Sequence, residues 1–217
     1  MIADIFNYRY PQFIWAQEIS TVLASGLIKN LNERRIIDAP CGDGIISFWL
    51  RKRFPDLRLE LYDIDKSLVE TAQRNIKNVV VEAESVFDLV LEGNDNIWLL
   101  VNSLYCLPDK EKLLAHFRPE VEYIIAVFPH IDHINYKTFL KNNPGFVNPG
   151  AMSQAMTIDL FLAHGFKHIL LKDVTHIPHF TLNKVRMGGL TKRILNILDP
   201  LFKSKNGSYW LAVFEKQ

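Results

Sequence analysis

Four residues, Asp38, Gly42, Gly44 and Asp63, have the types and the spacing to grip a nucleotide-like ligand. An apolar run ends in Asp38, a tight turn holding both glycines follows, and residues 45–53 read as a helix. A glycine has no Cβ, so the backbone there can approach a ligand closely. The first amides of the helix are free donors aimed at the same spot. Nineteen residues beyond Gly44, a second apolar run over 57–62 ends in Asp63. An acid at the tip of a second strand is placed to accept hydrogen bonds from two ribose hydroxyls. The plainer reading of Asp63 is a second cap or turn residue.

Strands and helices must position these groups. Apolar runs predict strands over 34–38, 57–62, 78–81, 97–101, 121–128, 166–174 and 209–215. Several show no alternation, as in strands covered on both faces. Helical spacing predicts helices over 11–29, 45–53, 66–76, 109–117 and 151–164, with Asp65 capping the third and Gly165 ending the last. Alternation of strand and helix predicts an open α/β sheet, whose ligands bind outside the carboxyl ends of the strands.

The motif Asp38-Ala39-Pro40-Cys41-Gly42-Asp43-Gly44 closely resembles the first motif of class I S-adenosylmethionine-dependent methyltransferases. Tyr62-Asp63-Ile64-Asp65-Lys66-Ser67 resembles the motif at the end of their second strand. The resemblance runs from about residue 34 to the last residue. It implies a Rossmann-like α/β fold: a mostly parallel seven-stranded sheet, order 3-2-1-4-5-7-6, with helices on both faces. It implies S-adenosyl-L-methionine as cofactor, held by Asp38, Ala39, Pro40, Cys41, Gly42, Gly44, Asp63 and Ile64. In that family an acid just after the third strand meets the adenine amino group and the next amide meets a ring nitrogen. Glu84 with Ser85 fits, and Glu82 competes. Asn102, at the end of the fourth strand, is expected to touch the cofactor through its backbone. Dinucleotide-binding turns read G-x-G-x-x-G, whereas Ser47 stands in place of the third glycine and Asp38 closes the strand. A carboxylate there repels phosphate but suits the ammonium of a methionine moiety.

Pro129-His130-Ile131-Asp132-His133 follows the fifth strand. A histidine at that rim can take a proton from a hydroxyl or amine acceptor. His130 is the first candidate for a general base, His133 the second, and Asp132 a candidate to orient them. A loop histidine bonded to backbone is the alternative. A metal held by His130 and His133 at i, i+3 is another; no third ligand stands out, although His176 and His179 repeat the spacing. Tyr8, Tyr10 and Tyr105 are candidates to line an acceptor pocket. Cys41 and Cys106 read as small apolar side chains.

The chain of 217 residues is read as one methyltransferase domain, with residues 1–30 as a helical cap and 176–208 as a basic amphipathic insertion before the last strand. That insertion is a helix on the core, a lid, a dimer face or a membrane contact through 184–205. A net charge of +1 calls for no nucleic-acid partner. Two cysteines, no long apolar span and no signal-peptide layout lead to the expectation of a cytoplasmic protein. The expected function is O-methylation of a small molecule or a glycan or lipid-linked sugar. A nucleotide- or NAD-dependent oxidoreductase and a non-catalytic cofactor-binding partner protein are the alternatives.

Overall fold

The computed structural model describes residues 10–133, 136–137, 141, 152–175, 194 and 207–217. Tyr8, the side chain of Tyr10, the 142–150 loop, His176, His179 and nearly all of the 176–208 insertion lie outside the described residues.

Helix α1 (Tyr10–Ala24) comes first. Then β1 (Arg35–Asp38), α2 (Ile45–Arg53), β2 (Arg58–Asp63), α3 (Lys66–Asn75) and β3 (Val80–Ala83) alternate. Next are β4 (Asn96–Val101), α4 (Lys110–Phe117), β5 (Val121–Pro129), α5 (Gln154–Ala163), β6 (Phe166–Val174) and β7 (Tyr209–Lys216). The seven strands form one sheet in the order β3-β2-β1-β4-β5-β7-β6. The pairs β1–β2, β1–β4, β2–β3 and β4–β5 are parallel. Strand β7 runs antiparallel between β5 and β6. The carboxyl ends of β1, β2, β4, β5 and β6 therefore share one rim.

The unalternating apolar runs are explained by burial on both faces. Neighbouring residues feed two separate cores. Ile36, Ile97, Leu99, Ile125 and Val127 pack with α1, α2 and α3. Ile37, Trp98, Leu100, Ile124, Ala126 and Phe128 pack with α4 and α5. Each fully buried aliphatic side chain contributes about 1.5–3 kcal/mol.

Local chemistry sets the helix ends. Asp65 accepts from the Ser67 and Leu68 amides, Asp109 from Lys112 and Ser153 from Met156. Helix α2 has no side-chain cap, and its N-cap, Gly44, is left-handed at φ 75°. Several expected boundaries move. The last helix starts at Gln154 rather than 151, because Ser153 caps it. Helix α1 stops short of residue 29 because Gly26 turns left-handed at φ 77°. The third strand starts at Val80 rather than 78, because Asn78 adopts φ 58°, a left-handed conformation that no strand residue takes.

Candidate functional site

The glycine turn joins β1 to α2 at the rim, and four contacts fix it. The Cys41 amide donates to the Tyr62 carbonyl at 2.8 Å, and the Gly44 amide to the Cys41 carbonyl at 3.1 Å. Trp98, buried on β4, donates its Nε1–H to the Ala39 carbonyl at 2.6 Å. Asp63 Oδ2 accepts from the Gly42 amide at 2.7 Å, while its Oδ1 accepts from the Asp65 amide at 3.0 Å. The Ala39–Pro40 peptide is cis.

The two glycines serve different needs. A Cβ on Gly44 would meet Ala72 Cβ and Ile76 Cδ1, each at 2.9 Å, so α3 requires glycine there. A Cβ on Gly42 would enter open space, although φ is +57°. The turn thus keeps an unfilled cradle beside Gly42, next to the uncapped N-terminus of α2.

The electrostatics of this cradle are acidic. Asp38 is 2% exposed and accepts a 2.6 Å hydrogen bond from Ser47 Oγ. Burial pushes its carboxyl up to about 7; the Ser47 bond opposes that, and the charges of Asp63 and Asp43 add to it. Burial, helped by Asp38 and Asp63, also pushes the Cys41 thiol up, so this sulfur is no nucleophile at neutral pH. Three carboxylates around a bend that also offers amide donors fit a ligand carrying both cationic and polar groups, and disfavour a pyrophosphate.

On one side of Asp63 the rim is apolar. Ile64 is 74% exposed and stands at the strand tip. Glu82 pairs with Tyr62 inside β3 and is exposed, whereas Glu84 follows the strand and is half-buried. The Glu84 amide donates to the Asp63 carbonyl at 3.1 Å. The Ser85 hydroxyl accepts from the Phe87 amide at 3.2 Å.

On the other side lie the ends of β4, β5 and β6. Asn102 is left-handed at φ 53° and its amide donates to the Val127 carbonyl at 2.8 Å. A backbone contact from Asn102 to a ligand therefore falls to its carbonyl. The Ser103 hydroxyl is sealed from solvent without a hydrogen-bond partner. Tyr105 lines a small apolar cleft with Phe128, Pro129, Ile131, Met152 and Thr157. Burial pushes its hydroxyl above the usual tyrosine range, and the nearby Cys106, Tyr209 and Tyr136 add to that. Burial likewise pushes Tyr209 up to about 12.

His130 Nε2 and Asp173 Oδ1 are 2.9 Å apart, and the His130 amide donates to the Ser208 carbonyl at 3.0 Å. Asp132, expected to orient the histidines, points elsewhere: it is exposed and 4.0 Å from Lys137. The partner is Asp173, which the linear reading missed because it lies 43 residues away. One signal could have found it: an acid one residue from the end of a strand whose tip shares the rim. His133 is half-buried, and its amide donates to the His130 carbonyl at 3.0 Å. Among the described residues no cluster of three metal-ligating side chains occurs.

Comparison with known proteins agrees with this geometry. Residues 17–97 match the family model described as a methyltransferase small domain. Over 119 residues the chain is 31% identical to malonyl-[acyl-carrier protein] O-methyltransferase 1 of Ilyobacter polytropus, a match covering 48% of this chain and 43% of that protein. Over 69 residues it is 32% identical to ribosomal RNA small subunit methyltransferase C of Stutzerimonas stutzeri, covering 32% and 21%. The chain thus spans less than half of the curated relatives it matches. Among solved structures, the plantazolicin methyltransferase BamL, in complex with a triazolic desmethylPZN analog and SAH, superposes with a TM-score of 0.68 at 13% identity. That superposition covers 97% of this chain and 89% of BamL.

Proposed function

We infer that this chain, which belongs to the class I S-adenosylmethionine-dependent methyltransferases, binds S-adenosyl-L-methionine at the rim of β1, β2 and β3 and methylates an acceptor beyond β4 and β5. The observation that carries the reading is the Asp63–Gly42 hydrogen bond, which sets a ribose-binding acid beside the glycine cradle. Asp63 accepts amides with both oxygens, and each oxygen keeps a second lone pair for a ribose hydroxyl. Ala39, Pro40, Cys41, Gly42 and Gly44 bound the methionine portion, and the field of Asp38 favours its ammonium. Ile64 lies against the adenine face, Glu84 and Ser85 meet its polar edge, and the Asn102 carbonyl faces the methionine side. When bound, the cofactor supplies an electrophilic methyl on a sulfonium.

The chain's own residues align the acceptor and remove its proton. Alignment is the larger part, because a sulfonium methyl is already reactive. Tyr105 and the neighbouring apolar wall hold the acceptor; Tyr8 and Tyr10 are proposed to close over it. His130 donates through Nε2 to Asp173, which leaves Nδ1 to take the acceptor's proton. His133 is the alternative base. This arrangement favours a hydroxyl acceptor on a small molecule or on a glycan or lipid-linked sugar.

Calorimetry with S-adenosylhomocysteine and with NAD tests the cofactor. Binding of NAD alone would overturn the reading. Labelled S-adenosylmethionine with fractionated extract, followed by mass spectrometry, then identifies the acceptor; finding the label only on nitrogen or carbon would overturn O-methylation.

A further inference from the structure

A second concavity lies between α1 and α2, away from the glycine turn. Lys52 and Arg53 close the last turn of α2, about 12 Å along the helix from the turn at 1.5 Å per residue. Phe13 and Trp49 form its walls, with ring centroids 5.0 Å apart in an edge-to-face arrangement. Buried Ala16 and Ser20 form its floor. The groove is open on one side and holds about 240 Å³, more than the ~150 Å³ of a protein cavity that takes benzene.

The rim is cationic. Lys52 and Arg53 both line the groove, and the Lys52 ammonium stands 5.2 Å from the Trp49 ring. Among the described residues, no carboxylate lines it. One wall atom also lacks a partner: Trp49 Nε1 is sealed from solvent with no hydrogen bond. An orphaned buried donor is costly, and a small side-chain rotation would offer it to an occupant.

We propose that this groove is a second binding site, separate from the methyl-donor cradle, for a small aromatic anion. The flat ring packs against the groove side of the Phe13–Trp49 pair, and the acid group meets Lys52 and Arg53. The charge contrast and the aromatic walls together select this class. A neutral ring lacks the ionic contact, and an aliphatic anion gains nothing from the rings.

The probe is 1-naphthoate, with 1-naphthamide as its neutral counterpart. The readout is the Nε1–H resonance of Trp49 in proton–nitrogen spectra of the full chain, with and without saturating S-adenosylhomocysteine. The expected result is a saturable shift with 1-naphthoate and binding of the amide about tenfold weaker or worse. The exposed pair Lys52→Ala/Arg53→Ala removes the preference while amide binding stays the same. S-adenosylhomocysteine leaves the naphthoate affinity unchanged. No saturable shift, equal affinity for acid and amide, or an unchanged preference in the double variant would overturn the proposal. Competition by S-adenosylhomocysteine would overturn the separateness of the two sites.

Discussion

Asp63 and Gly42 are bound to each other across 21 residues of sequence: the carboxylate at the tip of β2 accepts the amide of the bend that follows β1, at 2.7 Å. One side chain therefore shapes the cradle and, in the proposed function, also meets its ligand.

Replacing Asp63 by alanine removes both roles. The amides of Gly42 and Asp65 lose a charged acceptor, so the free protein should lose roughly 1–3 kcal/mol of stability. Affinity for S-adenosylhomocysteine should fall by at least about 30-fold, the worth of two ribose hydrogen bonds. Asp63→Asn keeps one acceptor oxygen and should fall between the two. Denaturant titration and calorimetry read the two effects separately.

Asp38 makes both stability and cofactor affinity depend on pH, in opposite directions. Its carboxyl is raised from 3.8 to about 7 in the folded chain. Between those values the native state holds more protons than the unfolded state, so this group's contribution is full below the lower value and lost as pH rises through the higher. The unliganded protein should lose a few kcal/mol over that window. Asp38→Asn should flatten the loss. A cationic ligand prefers the ionised carboxylate, so S-adenosylmethionine binding should tighten about tenfold between about pH 6 and pH 8 and release a proton. Thermal melts over pH, and calorimetry in buffers of different ionisation enthalpy, measure both.

Gly42→Ala and Gly44→Ala should fail in different ways. At Gly44 a methyl group meets α3 at 2.9 Å on a left-handed backbone, so about 3 kcal/mol or more of stability should go. At Gly42 only the backbone is strained, at about 1–2 kcal/mol. The methyl there enters the open space proposed to hold the ligand, so S-adenosylhomocysteine binding should be lost from a folded protein. Urea unfolding beside a binding titration distinguishes them.

Asp173→Asn tests the histidine pair. Methyl transfer to the acceptor, once identified, should slow about 10–100-fold, with S-adenosylhomocysteine affinity unchanged. Asp132→Asn should leave turnover as it is. Single-turnover assays with labelled methyl donor give both numbers; slowing by Asp132→Asn instead would return the orienting role to the loop.

Much of the fold could be read before any coordinates. Double-faced burial writes itself as unbroken apolar runs such as Ile36-Ile37, and six of the seven strands begin and end within one residue of the expected places. The cap at Asp65 and the stop at Gly165 follow from chemistry acting over two to four residues. The strand order came from a resemblance rather than from periodicity, which says nothing about which strands are neighbours.

The sequence by itself determined the elements, the acid-flanked glycine bend and the acid nineteen residues on, because propensity, turn chemistry and apolar period operate locally. The tertiary structure decided the partners. It put Ser47 on Asp38, Trp98 on the Ala39 carbonyl 59 residues away, Asp173 rather than Asp132 on His130, and Phe13 against Trp49. Most of those pairs depend on which strand tips and helix faces meet once seven strands take their register and two cores close over them. That outcome is set by burial summed over the whole sheet, so no short window of residues contains it.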